Sequence, residues 1–127
     1  MIRQQVEIID GMLGDAYFDY DQYRLRADAV DALREAARLL AKALETQPGA
    51  RLLVEGHCDE RGSSPYNLAL GDARAQKVRE FLGDVGLPAS RIDTVSYGED
   101  RPECTDSTEA CWQRNRRAHL RYSNPTP

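Results

Sequence analysis

The 127 residues, 41% hydrophobic and 30% charged, suit one soluble globular domain with a single core. A net charge of −4 with acids and bases interspersed lacks the basic face that sequence-independent nucleic-acid binding needs, so nucleic acid is not an expected partner. No stretch reaches the ~20 apolar residues of a membrane-spanning helix. No apolar run follows Arg3 as in a signal peptide, which leaves a cytoplasmic protein or part of a longer one whose targeting segment lies elsewhere.

Residues 1–15 show weak periodicity and are expected to form a loosely ordered lead-in. Ala16-Tyr17-Phe18-Asp19-Tyr20 is rich in aromatics and predicts a short strand. From about Ala27 to Leu44, Val30, Leu33, Ala37, Leu40 and Leu44 recur at gaps of three and four, one helical stripe, and Pro48-Gly49 then turns the chain. Arg51–His57 predicts the second strand, followed by a polar loop. Ser64-Pro65 reads as an N-cap with proline in the first turn of a helix running to about Val85 and stopped by Gly86. After a connector that has room for one helical turn, Ile92–Tyr97 predicts a third strand closed by Gly98. A cysteine-bounded loop, a short helix near Glu109–Asn115 and an alternating strand, Ala118–Tyr122, complete the chain. The tail, 124–127, is expected to fray. The order β-α-β-α-β-β predicts an α/β layered fold with helices packed on one mixed sheet.

The chain has three cysteines, Cys58, Cys104 and Cys111, without the C-x-x-C spacing of a zinc ribbon. Cys104 and Cys111 flank a polar segment short enough to close as a disulfide in an oxidising compartment, or to leave two free thiols. His57-Cys58-Asp59-Glu60 invites a catalytic or metal reading. Adjacent strand residues point to opposite faces, so His57 and Cys58 diverge, and His119 is the only other histidine. A packed His57 and a small buried Cys58 are the plainer reading, with no catalytic residue, metal or cofactor expected.

On a helical wheel Asn67, Gly71, Arg74, Val78 and Val85 share one face, flanked by Leu70, Phe81 and Leu82. Arg74 therefore sits within an apolar stripe. It either closes an internal salt bridge, with Asp59 as the candidate partner, or snorkels outward, or faces a ligand. Asp59 lies just past the carboxyl end of the second strand, where open α/β sheets bind ligands; an Asx-turn is its alternative role. Asp59, Asn67 and Arg74 in one pocket would suit a zwitterion, its ammonium on Asp59 and its carboxylate in the two-pronged Arg74 guanidinium. On that view alanine at Asp59 or Arg74 abolishes binding and spares the fold. Gly71 has a second reading, close helix packing. Asn115-Arg116-Arg117 is either a solvated basic corner or a set of salt bridges to acids such as Asp59 or Glu60.

Several motifs in order resemble the OmpA-like domain over about Ala16–Tyr122: Tyr17–Asp21, Val54–Gly62, Tyr66–Gly71, Arg74-Ala75, Ser96–Glu99 with Pro102, and Asn115–Arg117. The runs Asp59-Glu60-Arg61-Gly62 and Tyr66-Asn67-Leu68 are most similar to the peptidoglycan-associated lipoproteins (Pal). Cys58 stands where threonine or alanine is also familiar. The resemblance implies a domain at 16–123 that binds peptidoglycan non-covalently through the diaminopimelate of the stem peptide, without catalysis. It places the family's binding aspartate on Asp59 and its arginine on Arg74, with Asn67 and Leu70 lining the pocket. Phe18, Asp19 and Arg117 are weaker ligand candidates. It further implies a lipid anchor in a longer native protein at the periplasmic face of the outer membrane, and Tol-type periplasmic partners. The wall-anchoring domain of an OmpA-type porin or flagellar stator is the alternative. A cell-wall hydrolase using His57, Asp59 and Glu60 is a distant one.

Overall fold

The computed structural model describes residues 2–125. In chain order it contains α1 (Ile2–Met12), β1 (Ala16–Tyr17), α2 (Ala27–Thr46), β2 (Arg51–His57), α3 (Ser64–Asp84), a 3-10 turn at Ala89–Arg91, β3 (Ile92–Gly98), α4 (Glu109–Asn115) and β4 (Arg117–Ser123). The strands form one mixed sheet in the order β1-β4-β2-β3. β4 runs antiparallel to β1 and β2, and β2 is parallel to β3. α3 is the crossover between the two parallel strands, as parallel pairing requires.

Alternate residues of the central strands, Leu52 and Val54 of β2 with Leu120 and Tyr122 of β4, enter the core. They meet Leu33, Leu40 and Leu44 of α2 and Ala75, Val78 and Leu82 of α3. Val30 is only half-buried, its place in the α2 stripe shared by Ala29 and Ala36. Arg91 closes the end of α2 by donating to the carbonyls of Leu44, Gln47 and Ala50 at 2.6–3.1 Å.

Three expectations change. The lead-in is an ordered helix: Val6, Ile9 and Leu13 recur at helical spacing and pack on the core, and Asp10 accepts from the Tyr122 N–H at 2.8 Å. Exposed Ile8 and Met12 between them blur the period. β1 is shorter than its aromatic run. Phe18 adds one sheet-like bond, N–H to the Arg116 carbonyl at 2.9 Å, and the chain then turns away. α3 is capped by Ser63 rather than Ser64: the Ser63 hydroxyl accepts from the Tyr66 N–H, which puts Pro65 in the first turn. Of the tail, Asn124 and Pro125 carry no regular structure, and Thr126 and Pro127 lie outside the described residues, as does Met1.

α3 lies unusually close to β2. A Cβ on Gly56 would stand 1.8 Å from the Gly71 carbonyl oxygen, and one on Gly71 would meet the Ser96 hydroxyl at 2.2 Å. These two glycines let helix and strand touch backbone to backbone, which brings Arg74, one turn on, against the end of β2.

Cys104 and Cys111 are joined as a disulfide, and Cys58 is free and buried. Asn115 braces the same loop, accepting from the N–H groups of Glu103 and Cys104 and donating to the Cys104 carbonyl. With a sequence separation of 7, reduction is expected to lower stability by about 2–3 kcal/mol on loop-closure entropy. Urea denaturation with and without reductant measures this, and coincident curves would show that the bridge contributes nothing.

Candidate functional site

The loop after β2, the first turns of α3 and the loop after β1 meet in one cleft of about 40 Å³. Asp59, Arg61 and Gly62 come from the first, Tyr66, Asn67, Leu70 and Arg74 from the second, and Tyr20 and Asp21 from the third. Cys58 closes the floor. Asp59, Asn67, Leu70 and Arg74, predicted from the sequence, are therefore brought together. Val85, placed on the same helical face, is exposed at the far end of α3 instead.

Arg74 is 0% exposed. Its Nε donates to the Gln22 carbonyl at 2.8 Å, Nη1 to the His57 carbonyl at 3.0 Å and Nη2 to the Asp19 carbonyl at 3.2 Å. Nη1 also approaches the Cys58 sulfur at 3.6 Å, and the guanidinium lies 5.1 Å over the Phe18 ring. Among the described residues no carboxylate pairs with it, so the internal salt bridge to Asp59 does not form. Neither does Arg74 snorkel. The two-pronged grip expected of it is largely occupied by backbone carbonyls: of the five N–H groups of an arginine, one on Nη2 remains without an acceptor. Burial lowers its pKa from the usual arginine value. The cleft is thus floored by a buried positive charge without a counter-ion.

Asp59, its side chain 5% exposed, carries the opposite charge on another wall. Its Oδ1 accepts from the Arg61 N–H at 2.9 Å, an Asx-turn, and from Arg61 Nε at 3.2 Å. Oδ2 accepts from Arg61 Nη2 at 2.8 Å and Arg116 Nη1 at 3.4 Å. Burial pushes this carboxyl up, but the Arg61 and Arg116 contacts together hold it below the usual carboxylate range. Asn67 is buried and donates to the Arg61 carbonyl at 3.0 Å, tying the loop to the helix. Leu70 is half-buried at the rim. Opposite it the Tyr66 hydroxyl donates to Asp21.

None of the weaker candidates lines the cleft. Phe18 is fully buried beneath Arg74, and its carbonyl accepts from Arg116 Nε at 3.0 Å. The Asp19 side chain turns to Arg26 at 3.4 Å. Arg117 faces Asp15 and Glu103, at 3.5 and 4.0 Å. It is Arg116, the residue between α4 and β4, that reaches Asp59. The solvated basic corner is not found: Asn115, Arg116 and Arg117 are all buried.

The groups of the hydrolase reading are otherwise engaged. His57 Nε2 faces Glu55 at 3.2 Å. Burial, helped by the Arg117 charge, drives the His57 pKa down to about 4. Burial pushes the Cys58 thiol up to about 11, far from a nucleophile's range. Glu60 accepts from the Trp112 indole N–H at 2.9 Å and the Ser107 hydroxyl at 2.8 Å. Arg61, Tyr20 and Trp112 are the site-forming residues that the sequence reading missed, whereas the salt bridge expected from the Asn115-Arg116-Arg117 run to Asp59 is made by Arg116.

The profile of the OmpA family matches residues 17–116. A peptidoglycan-associated lipoprotein of Agrobacterium fabrum is 45% identical over 102 residues, 80% of this chain and 55% of the relative. That of Haemophilus influenzae is 42% identical over 106 residues, 84% of this chain and 67% of the relative. The chain thus spans little more than half the length of the first of these relatives. The crystal structure of the peptidoglycan-associated lipoprotein from Burkholderia pseudomallei is similar at a TM-score of 0.78 and 38% identity, covering 86% of this chain and 89% of that one. The C-terminal domain of Helicobacter pylori MotB reaches the same TM-score, 0.78, at 18% identity, covering 87% and 84%, a likeness of fold alone.

Proposed function

The chain belongs to the OmpA family, and on that premise we propose that it binds peptidoglycan non-covalently, through the diaminopimelate of the stem peptide, and catalyses no reaction. One observation carries this reading: Asp59 and Arg74 line one cleft with opposite charges and do not pair with each other. Diaminopimelate bears an ammonium and a carboxylate on its side-chain end, a charge pair that such walls complement. Asn67 holds the loop in register, and Leu70 and Tyr66 offer the ligand's methylenes an apolar edge.

In the whole protein a lipid anchor would hold the domain at the periplasmic face of the outer membrane, and Tol-type proteins would be its partners. Both follow from the likeness to the lipoproteins, and the Cys104–Cys111 bridge fits an oxidising compartment. Identities of 38–45% to those proteins, against 18% to MotB, favour this over a stator protein.

Sedimentation with purified diaminopimelate-type cell wall tests the binding. The wild-type chain should pellet with the wall, and Asp59→Asn should pellet at least tenfold less, from loss of a charge-assisted contact. A wild-type chain that stays in the supernatant ends the proposal. Chromatography of the same supernatant should show no muropeptides, and their release would reinstate the hydrolase.

A further inference from the structure

Segments far apart in the chain converge on one side chain above Asp59. The Arg61 guanidinium lies 4.0 Å from the ring centroid of Tyr20, in the loop after β1, and 4.0 Å from that of Trp112, in α4. Both rings lie within cation–π distance of the same guanidinium. Its Nε and Nη2 meet both oxygens of Asp59. Glu60 holds Trp112 in place by accepting its indole N–H at 2.9 Å. The position that a ligand ammonium would take over Asp59 is thus filled by a cation of the chain itself.

We propose that Arg61 is a latch: it stands in for the ligand's ammonium and must swing out before Asp59 can bind one, leaving an aromatic slot walled by Tyr20 and Trp112. This rests on the reading of Asp59 as the ammonium-binding residue. Several features let the latch open. The Arg61 side chain is 30% exposed while that of Asp59 is 5% exposed. Arg61 sits in a loop beside Gly62, whose φ of +96° marks a turn outside any helix or strand, so no packed element has to move. Arg116 stays on Asp59 Oδ2 at 3.4 Å when Arg61 leaves, so opening does not strand a buried carboxylate. The vacated slot offers an incoming ammonium the same cation–π faces that Arg61 gives up. The latch also selects: only a ligand with a cationic end restores what Arg61 releases, whereas a neutral or anionic end leaves both rings without a cation and Asp59 held by Arg116 and the Arg61 N–H alone.

A protein whose competent state is partly populated binds with affinity reduced by that fraction. Removing the latch should therefore tighten binding. By titration calorimetry with a diaminopimelate-containing stem peptide, Arg61→Ala is expected to bind about tenfold tighter than wild type. In the wild-type chain the Arg61 Nε–H resonance, shifted by two ring currents, should move to the position of a free arginine at saturating peptide. Equal or weaker binding by Arg61→Ala, or a resonance that stays ring-shifted at saturation, overturns the latch while leaving wall binding intact. Absence of any binding by the wild-type chain would instead sink the wall-binding reading, and the latch with it. The resonance experiment needs no variant, so a misfolded Arg61→Ala cannot shield the proposal.

Discussion

Arg74→Ala should lower the unfolding free energy by about 3–5 kcal/mol, the range of large buried truncations. The side chain is 0% exposed, and its loss removes a donor from the carbonyls of Asp19, Gln22 and His57, which it ties together from the loop after β1 and the end of β2; of these the Asp19 carbonyl keeps the Gln22 N–H at 3.2 Å. Each buried acceptor left without a donor costs about 1–3 kcal/mol. Two effects offset this. Water can enter the cleft and reach some of the freed carbonyls, and removing a buried charge that has no counter-ion recovers part of its desolvation cost. Neither replaces the contact over the Phe18 ring, 5.1 Å away, or fills the space the guanidinium leaves. Urea denaturation is the measurement, and a loss below about 1 kcal/mol would assign Arg74 to the ligand alone. The sequence-based expectation that this variant spares the fold is therefore replaced. Arg74 holds the pocket's backbone together before it touches any ligand, and lost binding in Arg74→Ala would not by itself identify a contact.

That revision shows what periodicity could and could not reveal. The helical wheel placed Asn67, Gly71, Arg74 and Val78 on one face of α3, and the structure buries all four. A wheel reports which side a residue faces. It is silent on what meets that residue there, so the choice for Arg74 between salt bridge and ligand could not be made from the sequence. The answer lay in carbonyls of the loop after β1, which carry no side-chain signature. Arg61 was hidden for a related reason. Its role depends on the approach of Asp59 and Tyr20 from two loops and of Trp112 from α4, and contacts between separate segments have no period to read. Arg116 was legible within the run Asn115-Arg116-Arg117, whose reading as salt bridges to acids such as Asp59 is met by Arg116, while Arg117 pairs with Asp15. α1 was legible in principle through Val6, Ile9 and Leu13. Exposed Ile8 and Met12 and the helix-weakening Gly11 obscured it.

A stem peptide containing diaminopimelate should bind more tightly than its lysine counterpart by about 2–5 kcal/mol, more than tenfold in affinity. Lysine offers the ammonium that Asp59 would receive once Arg61 has moved, but not the second carboxylate. The Arg74 charge, buried and without a carboxylate partner among the described residues, would then stay uncompensated, and a site built for a polar group penalises the analogue that lacks it. Its geometry argues for the lower half of that range. Three backbone carbonyls already hold the guanidinium, so a ligand carboxylate gains the field of the charge and the one remaining N–H of Nη2 rather than a full fork. Arg74→Lys should accordingly keep part of the discrimination, through its charge, while losing stability because a tetrahedral ammonium cannot reach three carbonyls arranged around a plane. Asp59→Asn should weaken both peptides alike, since both carry the ammonium. Calorimetric titration of the two peptides into the wild-type chain decides the matter. Equal affinities would remove Arg74 as the reader of the second carboxylate and leave the site to be sought elsewhere on a domain whose family would not be in question.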